Sequence, residues 1–142
     1  MGSKESIDVV MQLDDALREQ DFARMHELFA EDAVTRMAGM PAILGGACKG
    51  RDMILDYLHH APRGPFEVRG VFGDDEHVCV TGKWNVKTFP GRGVLRAGGQ
   101  GFTTWEADIY RVKDGRITEA VSYINWLDAY VQMGIVDIGQ LG

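Results

Sequence analysis

Between Ser6 and Gln20, apolar residues fall at Ile7, Val10, Leu13 and Leu17, with Val9 and Ala16 beside them, which is the spacing of an amphipathic helix. A second, shorter helix is expected directly after it, capped by Asp21, with Phe22, Met25, Leu28 and Phe29 as its buried stripe. The glycines and proline of "GMPAILGGACKG" then break regularity. A third helix, "RDMILDYLHH", places Met53, Ile54, Tyr57 and Leu58 on one face, and "APRGP" stops it. From there the period changes from helical to alternating. "FEVRGVF" reads as a short strand, and "HVCVTGKWNVKTF" puts Val78, Val80, Trp84 and Val86 on one side with a polar other side. A glycine-rich connection, "PGRGVLRAGGQG", leads to two more strands joined through "KDGR", and "LDAYVQMG" forms a closing helical turn ended by Gly134. Helices first and antiparallel strands afterwards predict an α+β fold, with three N-terminal helices covering one face of a curved sheet.

One strand of that sheet carries an oddity. In "TTWEADIYRV", Glu106 and Asp108 occupy alternate positions, so both acids lie on one face, about 6.5 to 7 Å apart at the backbone. With Asp114 and Gly115 as a two-residue turn, the hairpin register sets Tyr110 opposite Glu119, Asp108 opposite Val121, Glu106 opposite Tyr123 and Thr104 opposite Asn125. The other face carries Trp105, Ala107 and Ile109 against Ser122, Ala120 and Ile124. Hydropathy alone leaves two placements open. The polar face can look into water, the usual home of carboxylates, or into a cavity under the helices where acids, phenols and an amide converge on a ligand.

Length and composition narrow the function classes. The chain has 142 residues, which suits one domain, and its 45% hydrophobic and 25% charged residues fit a globular protein. Apolar runs are too short to span a bilayer and the N-terminus lacks a signal-peptide core, so no membrane partner and a cytoplasmic location are expected. The net charge is -6 with basic residues scattered, which argues against a nucleic-acid partner. Cys48 and Cys79 form no CxxC pair, and His26, His59, His60 and His77 form no HxH or HExxH pattern, so no metal site is expected. "LGGACKG" and "GRGVLRAGGQG" lack the spacing and setting of nucleotide-binding loops.

The sequence of segments, with "DFARMHELFAEDAVTRMAG", "GRDMILDYLHH" and "EADIYRVKDGRITEAVSYINWLDAYVQMGI" as its most characteristic parts, resembles the SnoaL-like polyketide cyclase branch of the nuclear transport factor 2-like superfamily. The resemblance covers nearly the whole chain. It implies a cone: a strongly bent, mixed or antiparallel sheet wrapped on the helices, a deep pocket between them, and a homodimer through the outer sheet face. On that pattern Trp105 and Ile109 face the partner, whereas Glu106 and Asp108 face the pocket. Asp108 in "DIYRV" is similar to the position at which ketosteroid isomerases keep a protonated aspartic acid. The isomerase base corresponds to Met37, which disfavours that activity. The Arg and Asp of limonene epoxide hydrolases align with Lys83 and Asn85 of "KWNV", and their second Asp, like the aspartate of SnoaL-like cyclases, aligns near Asn125.

These readings converge on a cofactor-free enzyme that folds and isomerises an apolar, oxygenated small molecule. Two carboxyls in a poorly solvated pocket raise each other's proton affinity, so one can act as acid and the other as base. Glu106 and Asp108 are the candidate proton carriers, and Tyr123 and Asn125 are expected to polarise a carbonyl. Met53, Tyr57, Lys83, Asn85, Thr104 and Tyr110 are expected to line the substrate. A pericyclic ring closure driven by shape is a variant of this reading. The alternatives are a noncatalytic binding or dimerisation module and, more weakly, a dehydratase or an epoxide hydrolase-like enzyme.

Overall fold

The computed structural model describes residues 2–40, 46–61, 64–87 and 101–141. Helix α1 (Ser3–Glu19) begins where the Gly2 amide donates to the Glu5 carboxylate, 2.8 Å away. Helix α2 (Phe22–Leu28) is capped by Asp21, whose side chain accepts from the Arg24 amide at 3.1 Å. The chain then turns straight into strand β1 (Phe29–Ala38), so Phe29, expected to end the helical stripe, starts a strand instead. "DAVTRMA" alternates as a strand should, but the adjacent helical pattern masks it. Asp32 lies exposed within β1. A short β2 (Ala47–Lys49) and helix α3 (Arg51–His60) follow.

Strands β3 (Phe66–Gly73), β4 (His77–Val86), β5 (Phe102–Lys113) and β6 (Arg116–Ile124) form the meander expected from the alternation, and α4 (Trp126–Gln132) closes the chain. The glycine-rich connection before β5 lies outside the described residues, as does part of the loop before β2. The six strands run in the order β2-β1-β6-β5-β4-β3, with β1 parallel to β6 and the other pairs antiparallel. The sheet is therefore mixed, curved and unclosed, with helices packed on its inner face.

That inner face carries two apolar clusters. Val10, Leu13, Met25, Ile54, Val78, Val80, Val112 and Ile117 fill the space under α1, α2 and α3. Val86, Phe102, Ile124, Trp126 and Met133 form the second cluster under α4. Between them, along β5, the inner positions are Thr104, Glu106, Asp108 and Tyr110. The polar stretch of β5 therefore lies between two hydrophobic clusters.

The β5–β6 hairpin departs from its expected register after two pairs. Asp114 (φ 52) and Gly115 (φ 75) form the turn, and Lys113 pairs with Arg116 and Val112 with Ile117 as predicted. A bulge at Thr118 then shifts every later partner by one: Arg111 meets Glu119, Tyr110 meets Ala120, Asp108 meets Ser122, and Ala107 meets Tyr123. Because strand side chains alternate, one extra residue transfers β6 to the opposite face from there on. Ser122 and Ile124 turn inward, and Tyr123 turns outward.

Candidate active site

The two acids of β5 sit on the inner face, under the helices. Asp108 is only 8% exposed, and Thr104, two pairs along the strand, is 3% exposed. The Glu106 carboxyl and the Ser122 hydroxyl of β6 both stand close enough to Asp108 to act on its carboxyl. Burial raises both carboxyls above the usual carboxylate range, since ionising either one would place a charge where little water reaches it. For Glu106, the neighbouring Asp108 adds to the effect and the affinity is pushed up to about 10; for Asp108, the bonds from Glu106 and Ser122 work against it. Both shifts run upward, so the pair is pushed toward keeping a shared proton. Asp108 Oδ1 is buried and has no hydrogen-bond partner among the described residues.

Two phenols flank the pair. Tyr110, next along β5, is pushed well above its ordinary range by burial and by the charges of Asp108 and Glu106. Tyr57 of α3 is pushed up to about 12, mainly by burial and further by Cys48 and Glu106, and its hydroxyl lies 3.7 Å from Met37 Sδ. Both phenols therefore stay protonated and available as donors. Met37, the place of the isomerase base, holds a thioether against Tyr57. Asp14 of α1 completes the acidic surroundings. It acts through space on Asp108 and Tyr110, burial raises its own affinity, and Arg18 Nε stands 3.6 Å away.

Several expected site residues leave the inner face of the sheet, although Tyr123 and Asn125 line the same open groove as Glu106. Tyr123 is 51% exposed on the outer face, because of the bulge. Asn125 lies past the end of β6, where its side chain caps α4 by accepting from the Asp128 amide at 3.1 Å. Lys83 and Asn85 also face outward, since the buried alternation of β4 puts Val78, Val80 and Val86 inside. Lys83 Nζ lies 5.9 Å from the Trp105 ring centre, and Asn85 accepts from the Thr103 hydroxyl at 3.1 Å. Met53 is 49% exposed, and its sulfur accepts from the Lys49 amide. The assignment of Lys83 and Asn85 to the pocket took the polar side of β4 as inner, whereas the apolar side packs on the helices. His59, at the end of α3, stacks on Phe22 with ring centres 3.7 Å apart.

Ser122 and Asp14 were missed. Ser122 needed the bulge, which "GRITEAVSYIN" does not announce. Asp14 left a readable signal, because it falls in the apolar stripe four residues after Val10 and three before Leu17, where a leucine or valine is expected.

The outer face of the same sheet differs in kind. Trp105 is 63% exposed, and Phe72, Ile109 and Leu127 are exposed as well. An open groove of about 850 Å³ joins the two faces, lined by Arg69, Trp105 and Tyr123 from outside and by Glu106, Ile124 and Trp126 from within. No group of three or more His, Cys, Asp or Glu side chains among the described residues has metal-binding geometry. No helix among them is long and apolar enough to cross a membrane.

The SnoaL-like domain profile matches residues 10–120, from α1 to the middle of β6. The chain belongs to the SnoaL-like family. Its fold is shared with solved structures of low sequence identity. The LEH-like epoxide hydrolase of M. tuberculosis is 17% identical with a TM-score of 0.72, over 92% of this chain and 90% of that one. A candidate SnoaL-like polyketide cyclase from Jannaschia sp. CCS1 is 16% identical with a TM-score of 0.73, over 88% of each chain. TerC, co-crystallised with polyporic acid, is 15% identical with a TM-score of 0.74, over 92% of this chain and 98% of its own. No curated protein sequence matches the chain. At these identities the structural likeness establishes the nuclear transport factor 2-like fold, and the activity of this SnoaL-like chain has to be argued from its own residues.

Proposed function

We propose that this SnoaL-like chain is a cyclase or isomerase of an apolar, oxygenated small molecule of the polyketide kind, and that it works by moving protons within one substrate. The observation that supports this reading is the buried Glu106–Asp108 pair, which is pushed toward keeping a shared proton and leaves one oxygen unpartnered among the described residues. Asp108 takes a proton from a carbon beside a carbonyl, and Glu106 delivers its own proton to another atom of the same molecule. The proton gained by Asp108 then passes to Glu106, so the pair ends as it began and the substrate keeps its mass. Tyr57 and Tyr110, both neutral, donate to the oxyanion that develops on the carbonyl. These steps call on no cofactor.

The flanking apolar clusters fit a substrate whose bulk is hydrocarbon, and desolvation by such a body strengthens the pair's hold on its proton. The exposed Trp105, Ile109 and Phe72 fit a second copy of the chain packed on the outer face. Incubation with a panel of polyketones, enones and epoxides, followed by mass spectrometry in deuterated water, tests the reading. A product of unchanged composition that has acquired deuterium supports it. Gain of a water points to epoxide hydrolysis, loss of a water to a dehydratase, and tight binding without product to a binding module. Turnover that survives Glu106→Gln and Asp108→Asn would assign the reaction to a ring closure governed by shape.

A further inference from the structure

The bare oxygen of Asp108 constrains what can dock beside it. Asp108 is more than nine-tenths buried, stands beside Glu106 and Ser122, and has Oδ1 without a hydrogen-bond partner among the described residues. A buried acceptor left unpaired costs roughly 1 to 3 kcal/mol, more when it is charged, so a ligand that brings a donor gains what the empty site lacks. The surroundings set a sign as well. Glu106 beside Asp108 on β5 and Asp14 descending from α1 are acids, and among the described residues the charged groups that act on Glu106, Asp108 and Tyr110 are acids; Arg69, at the outer side of the groove that reaches Glu106, is paired with Glu67 at 3.6 Å. The remaining polar neighbours are Thr104, Tyr110, Ser122 and Tyr57, all neutral. The nearest basic group to Asp14 is Arg18, which stands at the exposed edge of α1 and is shared with Asp15.

We propose that the ligand presents a neutral hydroxyl-type hydrogen-bond donor to Asp108 Oδ1, that the site rejects carboxylates and phosphates, and that Asp14 is the residue of the helix layer that enforces this rejection. The inference concerns the site to which the proposed function assigns the chemistry, and it holds or fails on binding alone, whether or not turnover is found. An anion entering beside Asp108 would meet two desolvated acids and Asp14, whereas a hydroxyl would pair the orphaned oxygen and add no charge.

Three probes of similar shape test it by calorimetry at pH 7: 2-naphthol, which has the donor, 2-methoxynaphthalene, which lacks it, and 2-naphthoate, which carries a negative charge. Naphthol is expected to bind about tenfold tighter than methoxynaphthalene, the worth of one hydrogen bond to a charged group. Naphthoate is expected not to bind. Asp14→Asn should narrow the gap between naphthol and naphthoate by at least about threefold, the scale of one partly screened charge. Asp108→Asn should shrink the advantage of naphthol over methoxynaphthalene. Equal affinity for the three probes, tighter binding of naphthoate, no binding of naphthol, or an Asp14→Asn variant with unchanged selectivity overturns the proposal.

Discussion

The two faces of β5 invert the usual rule of a half-buried strand. Its inner face, under the helices, carries Thr104, Glu106, Asp108 and Tyr110, and its outer face carries Trp105, Ala107 and Ile109, two of them large, apolar and exposed. Acids normally seek water and indoles normally leave it. On the inner face the desolvated acids are pushed toward holding a proton they would otherwise lose, which is the condition for acid and base chemistry near neutral pH. On the outer face, the exposed apolar area is the surface that the proposed second copy would cover. β3 and β4 keep the ordinary polarity toward the helices, with Val71, Val78 and Val80 packed in the core. Both proposed roles of the chain fall where the strand pattern is reversed.

The largest effect should come from removing the inner acids. Asp108→Asn and Glu106→Gln should each lower turnover by roughly 10² to 10⁴, the ordinary contribution of a positioned acid or base. Measured beside activity, the melting temperature of Glu106→Gln at pH 8 should not fall, since the variant removes a group that resists burial when charged. Loss of activity together with loss of fold would mean that the acids are structural.

Breaking the outer face comes next. Trp105→Glu should turn a dimer into a monomer at micromolar concentration, read by light scattering, because a central aromatic at an interface is typically worth about 2 kcal/mol or more. Its effect on turnover should be small, which would separate the two faces.

The pH dependence of stability follows from the direction of the inner shifts. The folded form of Glu106 binds its proton more tightly than the unfolded chain, so the stability it contributes is complete below its ordinary value of 4.5 and is lost as pH rises toward about 10. Between those limits the melting temperature should decline with pH, by up to about 1.4 kcal/mol of stability per unit for each proton retained. Glu106→Gln should flatten that slope. The smallest effects belong to outward residues: Tyr123→Phe and Lys83→Met should change turnover less than about twofold, as expected of surface substitutions away from the chemistry.

The split between what alternation reveals and what it hides follows the same hairpin. Helix stripes, the β3–β6 meander and the Asp114–Gly115 turn are local properties, and each was legible because a period or a turn preference carries it. The pairing of Glu106 and Asp108 on one face was legible too, since it lies within a single strand. What crosses from one strand to the next was not. A single extra residue at Thr118 moved Tyr123 out and Ser122 in, and no residue type there marks a bulge. Choosing the inner face of β4 depended on which side meets the helices, and that sent Lys83 and Asn85 outward. Asn125 ends β6 as the cap of α4, which a strand register does not foresee. Strand β1 was hidden behind the helical pattern that runs into Phe29.

The central claim is that an acid pair stays partly protonated at neutral pH on the inner face. It is tested most directly by ¹³C NMR titration of the side-chain carboxyls, assigned through Glu106→Gln and Asp108→Asn. The account predicts that one carboxyl of the pair keeps its proton through pH 7 and that the other titrates together with it. Two independent carboxyls that both ionise in the ordinary range near pH 4 would contradict it.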